Sequence, residues 1–279
     1  MTESPPTKRR ITLDGFTFAV VDEGSGPAVL LLHGFPDSSA LWRHQIQALV
    51  AAGFRVVAPD LRGFGDSDKP AEVEGYRLHL IAGEVLKLLD ALGLERVHVV
   101  GHDWGAAVAW IIAAFFPNRV ERLTALSIGH PAAFLAARTI EQRERSWYML
   151  LFQFTGVAEE LLQRDDWRLI REWTRGTGDV ERYLIDLARP GALTAGLNWY
   201  RANSHPSREL QPPRTVPAVA APTLGIYGMR DPFVIEAPMQ RSGEFVTGPW
   251  RYERIEDAGH WLQLDATQRV NELLLEHLR

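Results

Sequence analysis

The sequence contains no cysteine among its 279 residues. Disulfide bonds, thiolate metal sites and cysteine nucleophiles are therefore excluded, and a reducing compartment is permitted. Long hydrophobic runs are also absent, because the longest, 106–116, is shorter than the ~20 residues that span a bilayer. The basic residues near the N-terminus are not followed by an apolar stretch, so no signal peptide is predicted. We therefore expect a cytoplasmic protein without a membrane span.

Neither sign of charge dominates the chain. Lys and Arg number 30 against 35 Asp and Glu, a net charge of −5. This mixture gives no electrostatic reason to expect nucleic acid or an anionic membrane as a partner. A hydrophobic content of 46% is typical of a globular protein. Residues 1–10 are polar and contain proline, and we interpret them as a flexible tail.

Short apolar runs alternate with helical patterns along most of the chain. A hairpin is predicted over 11–13 and 16–21, with its turn at Asp14-Gly15. Runs that are apolar on both faces indicate strands covered by helices on each side. They occupy 29–32, 56–58, 97–100, 123–128 and 223–227. The alternation predicts an α/β fold with a doubly wound, mostly parallel sheet.

The alternation stops between about residues 131 and 214, where the pattern is helical and rich in arginine and aromatic residues. Four of the nine tryptophans lie here: Trp147, Trp167, Trp173 and Trp199. A loose surface excursion would leave these large side chains exposed. We therefore interpret 131–214 as a helical cap inserted into a core formed by 11–130 and 215–279.

The segment from Gly101 to Gly105 follows a buried strand and opens a helix, as a nucleophile elbow does. Its central residue is Asp103, whose side chain would stand clear of the sheet on a strained turn. A carboxylate here can displace a leaving group from an sp³ carbon and form an ester on the enzyme. The alternative role of Asp103, capping the next helix, is less consistent with its neighbours.

Two further residues complete a catalytic set. Asp231 follows the 223–227 strand, and His260 lies in a loop near the C-terminus. The order nucleophile, acid, histidine is that of α/β-hydrolases. His260 would activate water, and Asp231 would orient its imidazole. The backbone N–H groups of Phe35 and Trp104 are predicted to form an oxyanion hole. We interpret His33 and His102 as structural, and the Phe35-Pro36 peptide as a candidate for the cis form.

Together these motifs resemble those of epoxide hydrolases of the α/β-hydrolase fold, over nearly the whole length after the tail. The matching stretches are His33-Gly34-Phe35-Pro36, the run 59–68, Gly101–Gly105 and Gly259-His260-Trp261. The resemblance extends to two cap tyrosines, Tyr148 and Tyr200, which in the family hydrogen-bond the epoxide oxygen and donate a proton. Without the resemblance, lid packing would be the ordinary role of such tyrosines. Met149 stands where the family often has glutamine.

The resemblance implies hydrolysis of a small apolar epoxide to a vicinal diol through an ester on Asp103. No metal or organic cofactor is needed for either step. The residues expected to bind substrate are Phe35, Trp104, Trp147, Met149 and Trp261. The sequence leaves the particular epoxide and the oligomeric state open, a homodimer being one option.

Two other functions share parts of this pattern. Haloalkane dehalogenases use the same aspartate but need a second side-chain N–H for the halide. One branch takes it from an asparagine at the position of Phe35, and another from a cap tryptophan, for which Trp147 or Trp173 would qualify. A defluorinating relative would have arginine where this chain has Trp104. From a different class, a hydrolase fold recruited as a small-molecule receptor would retain the pocket without turnover.

Overall fold

The computed structural model describes residues 7–137, 139–175, 177–210 and 215–279. Residues 1–6 of the predicted tail lie outside this part of the chain. The same holds for Arg138, Gly176 and 211–214 of the predicted cap.

Within the described ranges, the strands form one eight-stranded sheet in the order β1-β2-β4-β3-β5-β6-β7-β8. The strands are β1 (Lys8–Leu13), β2 (Phe16–Gly24), β3 (Ala28–Leu32), β4 (Arg55–Pro59), β5 (Val97–His102), β6 (Val120–Leu126), β7 (Thr223–Gly228) and β8 (Trp250–Ile255). Strand β2 is antiparallel to β1 and to β4, and the other neighbours are parallel. The predicted mostly parallel sheet is confirmed.

Helices cover both the sheet and its carboxyl edge. The α-helices of the described residues are α1 (Arg43–Ala51), α2 (Leu78–Ala91), α3 (Trp104–Phe115), α4 (Pro131–Ala136), α5 (Ile140–Arg145), α6 (Tyr148–Leu151), α7 (Val157–Trp173), α8 (Val180–Leu187), α9 (Ala192–Asn203), α10 (Ala237–Arg241), α11 (Leu262–Asp265) and α12 (Thr267–Leu278). Helix α7 is interrupted over 164–167, where the backbone leaves helical angles. None of the helices in the described residues is long and apolar enough to cross a membrane.

The centre of the sheet is buried on both faces, which explains its uninterrupted apolar runs. Every residue of β3, β5 and β7 is buried. Helix α2 buries the apolar face that its 3.6-residue periodicity predicts, including Ile81, Val85 and Leu89. Burying these aliphatic side chains supplies the main driving force for the layered fold, at roughly 1.5–3 kcal/mol for each full side chain.

Several strand boundaries differ from the sequence-based predictions, and two of these differences have a visible cause. Strand β1 begins at Lys8, inside the segment predicted to be a tail, because Lys8 binds the buried carboxylate of Asp60 at 2.7 Å and also Asp66 at 3.0 Å. Strand β6 ends at Leu126 rather than residue 128. Ser127 takes a left-handed φ of 66°, which no regular strand accommodates.

The described residues between β6 and β7 form the helices α4 to α9, and this segment is tied to the core by polar contacts. The indole N–H of Trp199 donates to the carbonyl of Arg62 at 2.9 Å. Arg189 donates to the carbonyl of Gly65 at 2.9 Å and to the carboxylate of Asp66 at 2.5 Å. Asp66 therefore joins this helical segment to Lys8 of the first strand.

Candidate active site

The turn between β5 and α3 places Asp103 at the carboxyl edge of the sheet. Its backbone has φ 51° and ψ −123°, a strained conformation for a residue with a side chain. The glycines on either side make this turn sterically feasible. A Cβ on Gly101 would lie 2.4 Å from the carbonyl oxygen of Gly105, and one on Gly105 would lie 2.1 Å from that of Leu32. The predicted elbow geometry is therefore present.

The carboxylate of Asp103 is held by donors on one side and a cation on the other. The backbone N–H of Phe35 donates to Oδ1 at 2.9 Å. Nε2 of His260 lies 3.6 Å from Oδ2. Burial opposes ionisation, but His260 and the backbone N–H of Trp104 outweigh it and lower the pKa of Asp103 below its ordinary value. Asp103 is thus an ionised carboxylate in a largely dry site.

His260 is placed by Asp231, whose carboxylate is fully buried. Oδ2 of Asp231 lies 2.7 Å from Nδ1 of His260. Its Oδ1 accepts the backbone N–H groups of Phe233 at 2.8 Å and Val234 at 3.0 Å. Burial disfavours the imidazolium, yet the carboxylates of Asp231 and Asp103 more than compensate and raise the pKa of His260 to about 10. The imidazole therefore carries a proton while both carboxylates are charged.

Tyr148 and Tyr200 face this carboxylate from the inserted helices. Both are nearly fully buried, and their ring centroids are 5.9 Å apart. The ring of Tyr200 also meets those of Phe35 at 5.5 Å and Trp104 at 5.1 Å. Burial, together with the negative charge of Asp103, raises the pKa of each tyrosine well above its ordinary value. Both hydroxyls are consequently protonated, and they hydrogen-bond to each other.

The residues predicted to bind substrate occupy different positions. Phe35 is buried against Tyr200, and its peptide bond to Pro36 is cis as predicted. Trp104 is half-buried, as is Met149, which packs on the hydrophobic core. Trp147 is 48% exposed, with its ring 6.4 Å from that of Tyr148.

Trp261 is fully buried beside His260, with ring centroids 5.2 Å apart. Its indole N–H donates to Oδ2 of Asp37 at 2.8 Å. Burial raises the pKa of Asp37 well above its ordinary value, although this hydrogen bond opposes the effect. Trp261 therefore contacts His260 and hydrogen-bonds a buried acid.

Three further aromatic residues line the site: Phe152 and Phe233, which the sequence analysis did not place there, and Trp173, which it named only as a possible halide donor. The ring of Trp173 lies 4.9 Å from Tyr148, and that of Phe233 lies 5.3 Å from His260. Phe233 follows Asp231 by two residues, a proximity that could have identified it. Phe152 and Trp173 meet the site only through helix packing, for which the sequence carries no signal.

Two other histidines near the site have the structural roles predicted for them. Nε2 of His33 accepts the backbone N–H of Leu61 at 3.0 Å. Nε2 of His102 lies 2.9 Å from the carbonyl oxygen of His260. Burial lowers the pKa of His33 to about 4 and that of His102 to about 3. Both rings are therefore neutral at physiological pH.

A carboxylate on a strained turn, an acid–histidine pair and backbone donors meet at the carboxyl edge of a mostly parallel sheet, an arrangement typical of hydrolases. The sequence-family model for the α/β-hydrolase fold matches residues 27–267. The chain therefore belongs to this family. Within the family, it is similar to epoxide hydrolase A of Mycobacterium tuberculosis, with 34% identity over 98% of this chain and 97% of the relative.

Solved structures of epoxide hydrolases are consistent with this family assignment. The crystal structure of epoxide hydrolase A from Mycobacterium thermoresistibile has a TM-score of 0.85 and 32% identity, covering 98% of each chain. An epoxide hydrolase from metagenomes of hot environments has a TM-score of 0.89 and 31% identity, covering 98% of this chain and 99% of that one. The chain is thus an enzyme of the epoxide hydrolase branch of the family.

Proposed function

We propose that the protein hydrolyses an apolar epoxide to a vicinal diol through a covalent ester on Asp103. The observation that carries this proposal is the pairing of Tyr148 and Tyr200, two buried tyrosines with ring centroids 5.9 Å apart, both of which experience the charge of Asp103. An ester or amide hydrolase has no need of two neutral proton donors opposite its nucleophile. Opening the strained ring of an epoxide does require proton donors, because its oxygen becomes an alkoxide as the ring opens.

In the first step, Oδ2 of Asp103 attacks an oxirane carbon. Oδ1 is occupied by the backbone N–H of Phe35, so Oδ2 is the oxygen free to form the bond. The carbon–oxygen bond of the oxirane breaks, and its electron pair stays on the ring oxygen. Tyr148 and Tyr200 stabilise that oxygen, and one of them transfers a proton to it. The product is a hydroxyalkyl ester of Asp103.

In the second step, His260 activates water for attack on the carboxyl carbon of this ester. Ester formation removes the negative charge of Asp103, one of the two charges that raise the pKa of His260. The pKa of His260 falls as a result, so the imidazolium can give its proton to the tyrosinate left by the first step, which restores the tyrosine. The neutral imidazole can then act as a base while the ester is present. Asp231 then stabilises the imidazolium that forms.

The oxyanion that develops in this step is the carbonyl oxygen of the ester, which corresponds to Oδ1 of the free carboxylate. The backbone N–H of Phe35 already lies 2.9 Å from it, and that of Trp104 interacts with the same carboxylate. Donors fixed in this way are typically worth a factor of about 10²–10³ each. The carbon–oxygen bond to the alkoxide then breaks, the alkoxide takes the proton that His260 received from water, and the diol is released. The carboxylic acid of Asp103 gives its proton to His260, which restores the starting pair.

A single turnover in water enriched in heavy oxygen tests the mechanism. Since water attacks the carboxyl carbon, the label should enter Asp103 and be absent from the first diol released. Mass spectrometry of the peptide that contains Asp103 and of the diol measures both. A labelled first diol would mean that water attacks the epoxide directly. Asp103→Asn provides the inactive control.

Haloalkane dehalogenation remains a second candidate because of one observation. The indole nitrogen of Trp173, beside Tyr148, is buried and has no hydrogen-bond partner among the described residues. Such donors can stabilise a departing halide. Measuring halide release from short chloroalkanes and bromoalkanes beside diol formation from epoxides separates the two activities. Substantial halide release without diol formation would favour dehalogenation.

A further inference from the structure

A buried arginine connects the two stretches of chain that carry the site tyrosines. Arg201 directly follows Tyr200 in α9, and its side chain is only 6% exposed. Its Nε donates to the carbonyl oxygen of Phe152 at 2.9 Å. Phe152 follows α6, the short helix that begins at Tyr148, and its backbone N–H donates to the carbonyl oxygen of Tyr148 at 2.9 Å. The backbone around Tyr148 is therefore fixed to the helix that carries Tyr200.

The ring of Phe152 extends this connection to the site itself. Its centroid lies 5.4 Å from that of Tyr148 and 5.0 Å from that of Tyr200. A shift of the Phe152 backbone would therefore move a ring that contacts both tyrosines. Protein interiors are closely packed, so such a shift is transmitted to the neighbouring rings. Arg201 thus acts on the tyrosine pair through one intervening residue.

A carboxylate and an amide hold the guanidinium of Arg201 in place. Nη1 and Nη2 donate to the two carboxylate oxygens of Glu159, at 2.8 Å and 3.0 Å. Nη1 also donates to Oδ1 of Asn198 at 3.1 Å. Burial opposes ionisation of Glu159, but the hydrogen bond from Arg201 outweighs it and lowers the pKa of Glu159 below its ordinary value. A bidentate pair of this kind fixes orientation as well as distance, so the Nε–H stays directed at Phe152.

We propose that Arg201 is a positioning residue that sets the distance between the hydroxyls of Tyr148 and Tyr200, and that Glu159 orients it. The inference rests on the proposed function, in which both hydroxyls act on the oxirane oxygen. Two donors serve one oxygen only when both lie within hydrogen-bond reach of it, about 2.6–3.2 Å. A buried, charge-assisted contact between the two tyrosine-bearing elements keeps both hydroxyls within that range.

Single-turnover kinetics of Arg201→Gln separate this role from a general effect on the fold. The shorter, neutral side chain loses the contact with Phe152, so ester formation should slow by about 10–100-fold, as expected when a reacting group is misplaced by about 1 Å. Hydrolysis of the ester depends on His260 and Asp231, and its rate should change by less than about threefold. Equal slowing of both steps would overturn the proposal.

Arg189→Gln is the matched control for this variant. Arg189 lies in the same helical segment and also donates to a backbone carbonyl and a carboxylate, those of Gly65 and Asp66. These acceptors lie outside the two tyrosine-bearing helices. Ester formation in Arg189→Gln should therefore stay within about threefold of the wild type. A loss as large as that of Arg201→Gln would mean that any loosening of the helical segment has this effect, and the proposal would fall.

A double-mutant cycle with Tyr148→Phe tests whether Arg201 acts through the tyrosine pair. In that background only one of the two hydroxyls remains, and the distance between them no longer exists as a variable. Arg201→Gln should then slow ester formation by less than about threefold. If the loss were the same with and without the Tyr148 hydroxyl, the two effects would be additive and Arg201 would not position the pair.

A paired variant guards against a failure to fold. Arg201→Gln leaves the half-buried Glu159 carboxylate without its cation, and such a charge is destabilising. Arg201→Met combined with Glu159→Gln removes both charges together, and the glutamine oxygen can still accept the backbone N–H of Gly156, which Glu159 accepts at 2.8 Å. The paired variant should lose ester formation as Arg201→Gln does. Glu159→Gln alone keeps Arg201 and should lose less than about threefold; wild-type ester formation in the paired variant would refute the role of Arg201.

Fluorine NMR of protein labelled with 3-fluorotyrosine measures the positioning without the reaction. The chain has six tyrosines, so Tyr→Phe variants can assign each resonance. In Arg201→Gln the resonances of Tyr148 and Tyr200 should shift or broaden. That of Tyr252, whose hydroxyl donates to Glu236 at 2.7 Å, should stay unchanged.

The two kinds of measurement keep this inference distinct from the proposed function. If no epoxide forms an ester with the wild type, the proposed function fails, and the fluorine spectra still decide whether Arg201 positions the tyrosines. Unchanged resonances of Tyr148 and Tyr200 in Arg201→Gln would overturn the positioning role. If the wild type and Arg201→Gln form the ester at equal rates, the proposed function stands and only the role of Arg201 fails.

Discussion

Replacing Asp231 by asparagine should separate the two chemical steps. Oδ1 of Asp231 accepts two backbone N–H groups, and an asparagine carbonyl can retain both hydrogen bonds. The amide nitrogen would then face Nδ1 of His260, where the carboxylate now lies at 2.7 Å. Since an amide N–H needs an acceptor, Nδ1 would lose its hydrogen and Nε2 would carry it. The nitrogen that faces Asp103 could no longer accept a proton from water.

The magnitude follows from this tautomer change. The equivalent aspartate-to-asparagine substitution in a serine protease lowers turnover about 10⁴-fold for the same reason. We expect hydrolysis of the ester to slow by about 10³–10⁴, or about 4–5.5 kcal/mol in activation free energy. Ester formation depends on Asp103 and the two tyrosines, and its rate should change by less than about tenfold. The ester should therefore accumulate.

Mass spectrometry of the intact Asp231→Asn protein, sampled after mixing with epoxide, measures this accumulation as an added substrate mass. Stopped-flow tryptophan fluorescence gives the rates of the two phases. Asp257→Asn is the control, because Asp257 is exposed in the same region and pairs with Arg230. The reasoning would be refuted if Asp231→Asn formed no adduct, or if its overall turnover matched that of the control.

Three further predictions concern other parts of the site. Tyr200→Phe should slow ester formation by about 10²-fold with little effect on ester hydrolysis, as single-turnover kinetics would show. Gly34→Ala would place a Cβ 2.2 Å from Oδ1 of Asp103. We therefore expect the rapid phase of ester formation to disappear, and the free energy of unfolding measured by urea denaturation to fall by about 1–3 kcal/mol. Burial raises the pKa of Asp37 well above its ordinary value despite the hydrogen bond from Trp261, so the wild type loses stability as pH rises above about 4. Asp37→Asn removes this titration, so the unfolding free energy of the variant minus that of the wild type should increase between pH 4 and 8. If this difference did not depend on pH, the raised pKa of Asp37 would be contradicted.

The sheet and the convergence of Asp103, Asp231 and His260 could be predicted because each has a local signature. Buried parallel strands produce short apolar runs, and these matched β3, β4, β5 and β7 within one or two residues. Asp103 was identified from the glycines that its strained turn requires. Asp231 and His260 follow strands in the chain order expected for an α/β-hydrolase.

The rest of the site depends on contacts between distant segments. The ring of Trp173 meets Tyr148 and Phe233, yet its sequence context resembles that of any amphipathic helix. The first strand was predicted too short because Lys8 reads as part of a basic tail. Its partners Asp60 and Asp66 are more than fifty residues away in the chain. Local pattern cannot reveal a salt bridge of that kind.

The contacts of Lys8 have a practical consequence for protein production. A shortened version that starts at residue 11, the boundary suggested by sequence alone, would remove the cation paired with Asp60, whose side chain is fully buried. An unpaired charge in that position is costly. Asp66 would retain Arg189 but lose its connection to the first strand. Affinity tags and truncations should therefore end before residue 8, and damage from a longer deletion should extend to the helices above the catalytic site.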